Sequence, residues 1–179
     1  MSSNEEWEAI HQSRMWGLWP DIHVVRQVKK FIAQWEDHSY RIEALDIGCG
    51  AGACSAMMGD EGMEVTAIDV SKTAIINAPH HHNVKLLVAD AQTVELQPES
   101  FDFILDNLSL TYVQEPSWLR IMSWLKPNGW LIHASFETAP KGTPVAYEHK
   151  EPGNVVERHS SWVEGNAFSF VVRKYVKPG

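Results

Sequence analysis

Five short apolar runs between residues 41 and 136 constrain the fold of this chain more strongly than any other feature. Each is five or six residues long and mostly apolar, as are the strands of a parallel sheet that helices cover on both faces. The runs are Ile42–Ile47, Met63–Ile68, Val84–Ala89, Phe101–Leu105 and Trp130–Ser135. Helical or polar segments separate them. This alternation predicts an α/β fold, a Rossmann-like doubly wound sheet of five parallel strands with helices on both faces.

The segments between these runs predict the helices that cover the sheet. The last part of the chain predicts the strands at one edge of the sheet. Helical segments are expected at Ala51–Asp60, Ser71–Ala78, Gln92–Leu96 and Ser117–Leu125. After residue 137, several Pro and Gly residues interrupt regular structure. Val155–Val163 and Phe168–Val176 then flank a short polar connection, which predicts a C-terminal antiparallel hairpin.

The first 40 residues are rich in tryptophan and predict helices. After Pro20, apolar residues recur every three or four positions, as expected of one amphipathic helix. Those positions are Ile22, Val25, Val28, Ile32 and Trp35. The chain has 179 residues, which is the size of one domain. We expect a single domain over residues 1–179, with an N-terminal helical segment (1–40), a core (41–136) and a short segment ending in the hairpin (137–179).

Charge and composition exclude several classes of function. Fifteen Lys and Arg against 23 Asp and Glu give a formal net charge of −8, which argues against nucleic acid or an anionic membrane as partner. Cys49 and Cys54 lie too close together for a disulfide framework and lack partners for a zinc site. The tract His80–His82 also lacks ligand partners, which favours a solvated turn over a metal site. With no membrane-length apolar run and an acidic start, the chain is expected to be cytoplasmic.

The strongest local motif is the segment Leu45–Gly52, in which a buried strand runs into three glycines at alternate positions and then into a helix. Glycine is needed where a backbone turns sharply or where a ligand approaches the main chain closely. The free N–H groups at the start of the following helix favour an anionic group. The motif therefore predicts a ligand site, because three glycines would destabilise a plain corner.

Carboxylates follow the next three runs at the same edge of the predicted sheet. Asp69 ends the second run, where the acid of a Rossmann-like sheet accepts hydrogen bonds from ribose hydroxyls. Asp90 closes the third run, where a carboxylate can accept from the exocyclic amine of a purine. Asp106 and Asn107 follow the fourth run. Since open α/β sheets bind ligands at the carboxyl ends of their strands, these residues predict one crevice.

With these motifs in place, the chain resembles the class I methyltransferases that use S-adenosylmethionine, over roughly residues 40–136. The matching stretches are Leu45–Gly52, Thr66–Ser71, Val88–Ala91, Phe101–Val113 and Leu125–Trp130. The resemblance implies that the cofactor is S-adenosylmethionine and the methyl acceptor a small molecule. It also implies that residues 1–40 form a helical lid.

The resemblance also implies which residues bind the cofactor. They are Asp46, Gly48, Gly50, Gly52, Asp69, Val70, Asp90, Ala91, Asp106 and Asn107. The three glycines would line the methionine part, and Asp46 would reach its ammonium directly or through water. Asp69 would hold the ribose, and Asp90 with Ala91 the adenine. The last two residues would form the floor of the reaction centre.

Methyl transfer is an in-line displacement that depends on orientation and requires no covalent enzyme intermediate. If the acceptor needs a general base, Tyr112 and His133 are the candidates. Trp16 and Trp19, in the segment that looks like a lid, are candidates for the wall of the substrate site. A homodimer is a further possibility, because the segment between the fifth strand and the hairpin is short.

Two alternatives remain open. The chain could be a non-catalytic S-adenosylmethionine-binding or regulatory protein. The residues Gly48, Gly50 and Ala53 also satisfy the dinucleotide pattern G-x-G-x-x-G/A, so an NAD(P)-dependent oxidoreductase is the second alternative.

Overall fold

The computed structural model describes residues 3–14, 19–35, 40–113, 117–138, 154–163 and 166–179. The helices are α1 (Ser3–Ser13), α2 (Ile22–Gln34), α3 (Ala53–Asp60), α4 (Lys72–Asn77) and α5 (Trp118–Trp124), with a short 3-10 helix at Leu110–Tyr112. The strands are β1 (Glu43–Ile47), β2 (Glu64–Asp69), β3 (Val84–Val88), β4 (Phe101–Asn107), β5 (Leu125–Thr138), β6 (Asn154–Val163) and β7 (Asn166–Val176).

All seven strands form one sheet in the order β3-β2-β1-β4-β5-β7-β6. Strands β1 to β5 pair in parallel, while β7 lies antiparallel between β5 and β6. The sheet order reverses direction at β1 and β4, and the carboxyl ends of these two strands open a crevice between them. The predicted sheet of five parallel strands with a C-terminal hairpin is confirmed.

Two of the expected elements differ from the structure. The predicted helix Gln92–Leu96 is absent: residues 91–93 form a turn closed by the amides of Thr93 and Val94 on the carbonyl of Asp90. Two β-branched residues and the following Gln97-Pro98 disfavour helix here. Strand β5 begins at Leu125 rather than Trp130. Its pairing with β4 is irregular between Phe101 and Phe103.

Side chains alternate between the two faces of the sheet and build a core on each. Ala44 of β1 and Phe103 of β4 pack on the side of α2 and α3, while Leu45 and Ile104 pack on the side of α5. Because each central strand is covered on both faces, its residues read as continuous apolar runs. No helix in the described ranges is long and apolar enough to cross a membrane.

Helix α2 starts where the sequence predicts it, and its buried face is turned partly away from the predicted stripe, of which Val28 is buried while Ile32 and Trp35 pack against the core at partly buried positions. Asp21 caps it by accepting a hydrogen bond from the His23 amide at 2.8 Å. The buried residues are His23, Val24, Gln27, Val28 and Phe31, whereas Ile22 of the predicted apolar stripe is exposed. The helix is rotated because the Phe31 ring packs between Phe103 and Trp130, at 4.9 and 5.3 Å between ring centroids.

Substitution Phe31→Ala tests this anchoring of α2 on the sheet. Removal of a buried aromatic ring leaves a cavity and is expected to lower the free energy of unfolding by about 3–5 kcal/mol. Leu119→Ala, on an exposed position of α5, serves as control and should change it by less than about 0.5 kcal/mol. Urea unfolding at equilibrium measures both. Equal effects of the two substitutions would contradict the packing described.

Candidate cofactor site

The glycine loop joins β1 to α3 and is fastened to the end of β2. The amides of Gly48 and Cys49 both donate to the carbonyl of Ile68, at 2.8 and 3.0 Å. Gly48 has φ +66°, and a Cβ there would lie 2.1 Å from the Cβ of Ser109. This glycine is therefore required by the close approach of the segment after β4.

Gly50 differs from Gly48 because it leaves space beside the main chain. Its φ is +52°, and among the described residues a Cβ built there would meet only the ring of His11, at 3.7 Å. A Cβ on Gly52 would instead lie 3.0 Å from the side chain of Ala78. Of the three glycines predicted to line the methionine part, Gly50 is the one whose surroundings admit a ligand.

Asp69 bridges the glycine loop and the start of α4. One carboxylate oxygen accepts from the Gly50 amide at 2.9 Å, and the other accepts from the Ser71 amide at 2.8 Å. A carboxylate has about four acceptor positions, so two protein bonds leave capacity for ribose hydroxyls. The predicted ribose acid thus lies beside the loop, and Val70 follows it at a half-buried position.

Asp46 is enclosed beneath the glycine loop. Only 1% of it is exposed, and it accepts a hydrogen bond from the Ser55 hydroxyl at 2.6 Å. The pKa of Asp46 is raised to about 7, first by burial and then by the nearby charges of Asp106 and Asp69, while the Ser55 hydrogen bond acts in the opposite direction. Its enclosure gives Asp46 an electrostatic role here, with no open face toward a ligand ammonium.

The structure contradicts the predicted roles of Asp106 and His133. Asp106 is fully buried and accepts from the amides of Ser109 and Leu110, each at 3.0 Å, and from the Ser109 hydroxyl. Its second oxygen contacts His133 Nδ1 at 2.5 Å, and the His133 ring packs edge-on against Trp118. Asp106 is therefore not the exposed floor of a reaction centre, and His133 cannot touch a substrate as general base.

The other predicted residues of the core lie at the crevice edge. Asp90 is half-buried and accepts from the Gln92 amide at 2.8 Å, with Ala91 buried next to it. Asn107 is half-buried, with its amide nitrogen 4.0 Å from the sulfur of Cys54. Asp90 and Asn107 are thus both partly accessible at strand ends, and their contact with the cofactor stays a prediction.

The remaining candidates for base and substrate wall fit less well. Burial raises the pKa of the Tyr112 phenol, which leaves less of the ionised form that could accept a proton near neutral pH. Trp19 is 86% exposed and lines no enclosed wall. Trp16 lies outside the described residues.

The resemblance implied a helical lid over residues 1–40, but sequence reasoning did not predict the contacts of α1 at the carboxyl edge of the sheet. The Asn4 side chain of α1 donates to Asp90 at 3.3 Å, and the Trp7 ring packs edge-on against Tyr112 at 5.0 Å. The signal in the sequence was the spacing of polar and aromatic residues along α1. Because α1 has no aliphatic stripe, this spacing does not show which surface of the protein the helix covers.

Glu8 fixes α1 to the start of α4. Its carboxylate accepts from the hydroxyls of Ser71 and Thr73, at 2.7 and 2.5 Å, and from the Thr73 amide at 3.1 Å. These hydrogen bonds, led by that of the Thr73 hydroxyl, lower the pKa of Glu8 to about 2. The carboxylate therefore stays ionised and holds α1 over the crevice.

Comparison with known proteins now identifies the family. Residues 45–133 match the model of a methyltransferase domain. The solved structure of phosphoethanolamine N-methyltransferase 2 from Haemonchus contortus, in complex with S-adenosyl-L-methionine, has a TM-score of 0.64 at 15% identity, over 86% of this chain and 53% of that one. The chain belongs to the class I S-adenosylmethionine-dependent methyltransferases.

Two further proteins are similar to this chain in fold or in sequence. A methyltransferase from Methanosarcina mazei has a TM-score of 0.61 at 20% identity, over 82% of this chain and 96% of that one. A ubiquinone biosynthesis O-methyltransferase from Albidiferax ferrireducens is 28% identical over 151 residues, which are 74% of this chain. The chain spans 58% of the length of that curated relative. Membership of this family confirms the resemblance found in the sequence motifs.

Histidines 80–82 follow α4, away from the glycine loop. His81 accepts from the Asn83 amide at 3.1 Å, and its other ring nitrogen lies 3.3 Å from Asp60. Within the described residues, no group of three or more His, Cys, Asp or Glu side chains is arranged to hold a metal ion. His81 thus supports the local turn before β3.

Substitution Asp46→Asn tests the electrostatics of this methyltransferase site. The pKa of Asp46 rises from its usual 3.8 to about 7 on folding, so the folded state binds this proton more tightly than the unfolded chain does. The wild type therefore loses stability as pH rises from about 4 to about 7, and the loss is complete above the folded pKa. Asn cannot ionise, so the variant should gain stability relative to wild type across that interval.

Urea unfolding of both proteins at about pH 4 and about pH 8 measures this difference. Asn keeps an oxygen that accepts from Ser55, so the substitution changes the charge while it preserves the hydrogen bond. A difference in unfolding free energy that is the same at both pH values would show that Asp46 ionises normally in the fold.

Proposed function

We propose that this chain binds S-adenosylmethionine in the crevice at the carboxyl ends of β1, β2, β3 and β4 and transfers its methyl group to a small-molecule acceptor. The observation that carries the proposal is electrostatic. Three carboxylates lie close together here, those of Asp46, Asp69 and Asp106. The charges of Asp106 and Asp69 raise the pKa of Asp46. This concentration of carboxylates favours a cationic ligand at the ends of β1 and β4.

The charge of the crevice distinguishes the methyl donor from a dinucleotide. S-adenosylmethionine carries a sulfonium cation and an ammonium, both of which carboxylates attract. The pyrophosphate of NAD(P) is an anion, and neighbouring carboxylates at the same strand ends repel it. The dinucleotide-like spacing of Gly48, Gly50 and Ala53 is therefore better explained by the methyl donor.

In this proposal, different residues of the crevice bind different parts of the cofactor. Gly50 leaves room for the methionine part, Asp69 accepts from the ribose hydroxyls, and Asp90 accepts from the adenine amine. The carboxylate of Asp90 already accepts from a side-chain amide, that of Asn4 at 3.3 Å, which supports its capacity to bind an amino group. Bound here, the cofactor supplies an electrophilic methyl group for an in-line displacement.

For the acceptor, we propose a phenolic or catecholic oxygen. The support is the similarity to proteins named ubiquinone biosynthesis O-methyltransferase, at 28% and 26% identity. A non-catalytic cofactor-binding protein is the second candidate. It is favoured by one observation, namely that both predicted bases are unsuited to the role, His133 by burial and Tyr112 by its raised pKa.

Incubation with methyl-labelled S-adenosylmethionine and a panel of phenols, amines and thiols tests catalysis. We expect S-adenosylhomocysteine and a labelled methyl ether with a catechol acceptor. Cofactor binding without any product across the panel would instead support the non-catalytic protein. Failure to bind the cofactor would contradict both candidates.

Substitution Asp69→Ala tests the ribose contact. Loss of charged hydrogen bonds to the ribose should weaken binding of S-adenosylhomocysteine at least about tenfold in calorimetry. Asp60→Ala removes the same charge at the end of α3 and serves as the control, with binding as in wild type. Unchanged affinity of Asp69→Ala would remove this residue from the site.

A further inference from the structure

Two lysines approach each other on the face of the sheet that α2 covers. Lys30 lies at an exposed position of α2, next to Phe31, and Lys174 lies half-buried on β7. Their ammonium groups are close enough for the charge of Lys30 to act on Lys174. Because like charges repel each other, this arrangement costs free energy and calls for an explanation.

The Trp130 ring holds the amine of Lys174 in place. Position 174 pairs with Ile132 in the register of β5 and β7, so its long side chain reaches Trp130 diagonally across the two strands. The Lys174 Nζ lies 2.8 Å from the centroid of that ring. The ring is itself fixed by Phe31, at 5.3 Å between centroids. The amine is therefore held at a defined position between β7 and α2.

No carboxylate balances the charge of this amine. In the described part of the chain, the Lys174 side chain forms no hydrogen bond or ion pair, and its polar contact is with the ring. The other half-buried lysines in the described ranges are Lys126 and Lys177. They pair with Asp102 and Glu99, at 3.0 and 2.9 Å. Lys174 thus differs from them in facing a second lysine instead of an acid.

Burial and the second lysine both disfavour a charged amine at this position. Burial lowers the pKa of Lys174, and the charge of Lys30 lowers it further. The residues paired with it across the strands are Ile132 on β5 and Asn154 on β6, and neither titrates. More of this amine is therefore unprotonated near neutral pH than in an ordinary lysine, and the unprotonated amine is the nucleophile.

We infer that Lys174 is a site of acylation by a small acyl phosphate. The amine nitrogen attacks the carbonyl carbon, so that an N–C bond forms while the C–O bond to the phosphate breaks. Inorganic phosphate leaves with the electron pair, and the proton of the amine passes to water. The product is a neutral amide, which ends the repulsion between the two lysines.

The surroundings of Lys174 favour this class of acyl donor over others. A phosphate group carries negative charge, and Lys30 attracts it toward the amine that reacts. The half-buried position between α2 and β7 favours a donor with a short acyl chain. Lys30 thus serves twice, because it lowers the pKa of the nucleophile and attracts the leaving group.

Competitive labelling of the full chain with acetyl phosphate near neutral pH tests the site. Proteolysis and mass spectrometry give the acetylation rate of each lysine. Lys174 should react several times faster than Lys72 and Lys85, although both of these are exposed and Lys174 is half-buried. An equal or slower rate at Lys174 would mean that exposure governs labelling and would overturn the inference.

Substitution Lys30→Gln tests the part played by the second lysine. Removal of the like charge should slow acetylation of Lys174 several-fold and raise the pH at which its labelling is half-maximal. Lys72→Gln removes the same charge from an exposed position of α4 and serves as the control, with Lys174 labelled as in wild type. An unchanged rate at Lys174 in Lys30→Gln would overturn the inference.

A neutral reagent separates the acyl phosphate from other acyl donors. Acetic anhydride carries no charge, so it should label Lys174 with a smaller preference over Lys72 than acetyl phosphate does. An equal preference with both reagents would overturn the assignment of an acyl phosphate. No residue of the proposed cofactor crevice takes part in this reaction, so each of these outcomes leaves the proposed function standing.

Discussion

The hydrogen bonds of Asp69 hold the crevice together. One carboxylate joins the amide of Gly50, which follows β1, to the amide of Ser71, which precedes α4. Without this bridge, the glycine loop and the end of β2 would be tied only by the amides of Gly48 and Cys49 on Ile68. Each oxygen of Asp69 accepts one hydrogen bond from the protein, and its remaining acceptor positions are the ones that the proposed ribose contact would use.

Beneath this bridge, carboxylates are divided between supporting and ligand-facing positions. Asp106 accepts a hydrogen bond from Ser109 in the turn after β4 and also contacts His133. Ser109 in turn fills the space that a side chain at position 48 would need, so that position must be glycine. Burial raises the pKa of Asp46 to about 7, so this carboxylate is half protonated near neutral pH. A cationic cofactor favours its ionised form.

The sheet, the glycine loop and Asp69 could be predicted because each follows from local sequence. Buried parallel strands need apolar runs, and the turn from β1 to α3 needs glycine. The role of Asp106 could not be predicted, since a carboxylate at a strand end has the same sequence whether it points to a ligand or to His133, 27 residues further along the chain. The contacts of α1 were equally hidden. They join Glu8 to Thr73 across 65 residues, and only the tertiary fold brings these side chains together.

We propose that the crevice between the glycine loop and the ends of β2 and β3 binds S-adenosylmethionine. A crystal structure of the chain with S-adenosylhomocysteine would show whether the ligand lies there. We expect the ribose hydroxyls within hydrogen-bond distance of the Asp69 carboxylate and the amino-acid part along Gly50. Density for the ligand at another place on the molecule, with this crevice closed by protein side chains, would contradict it.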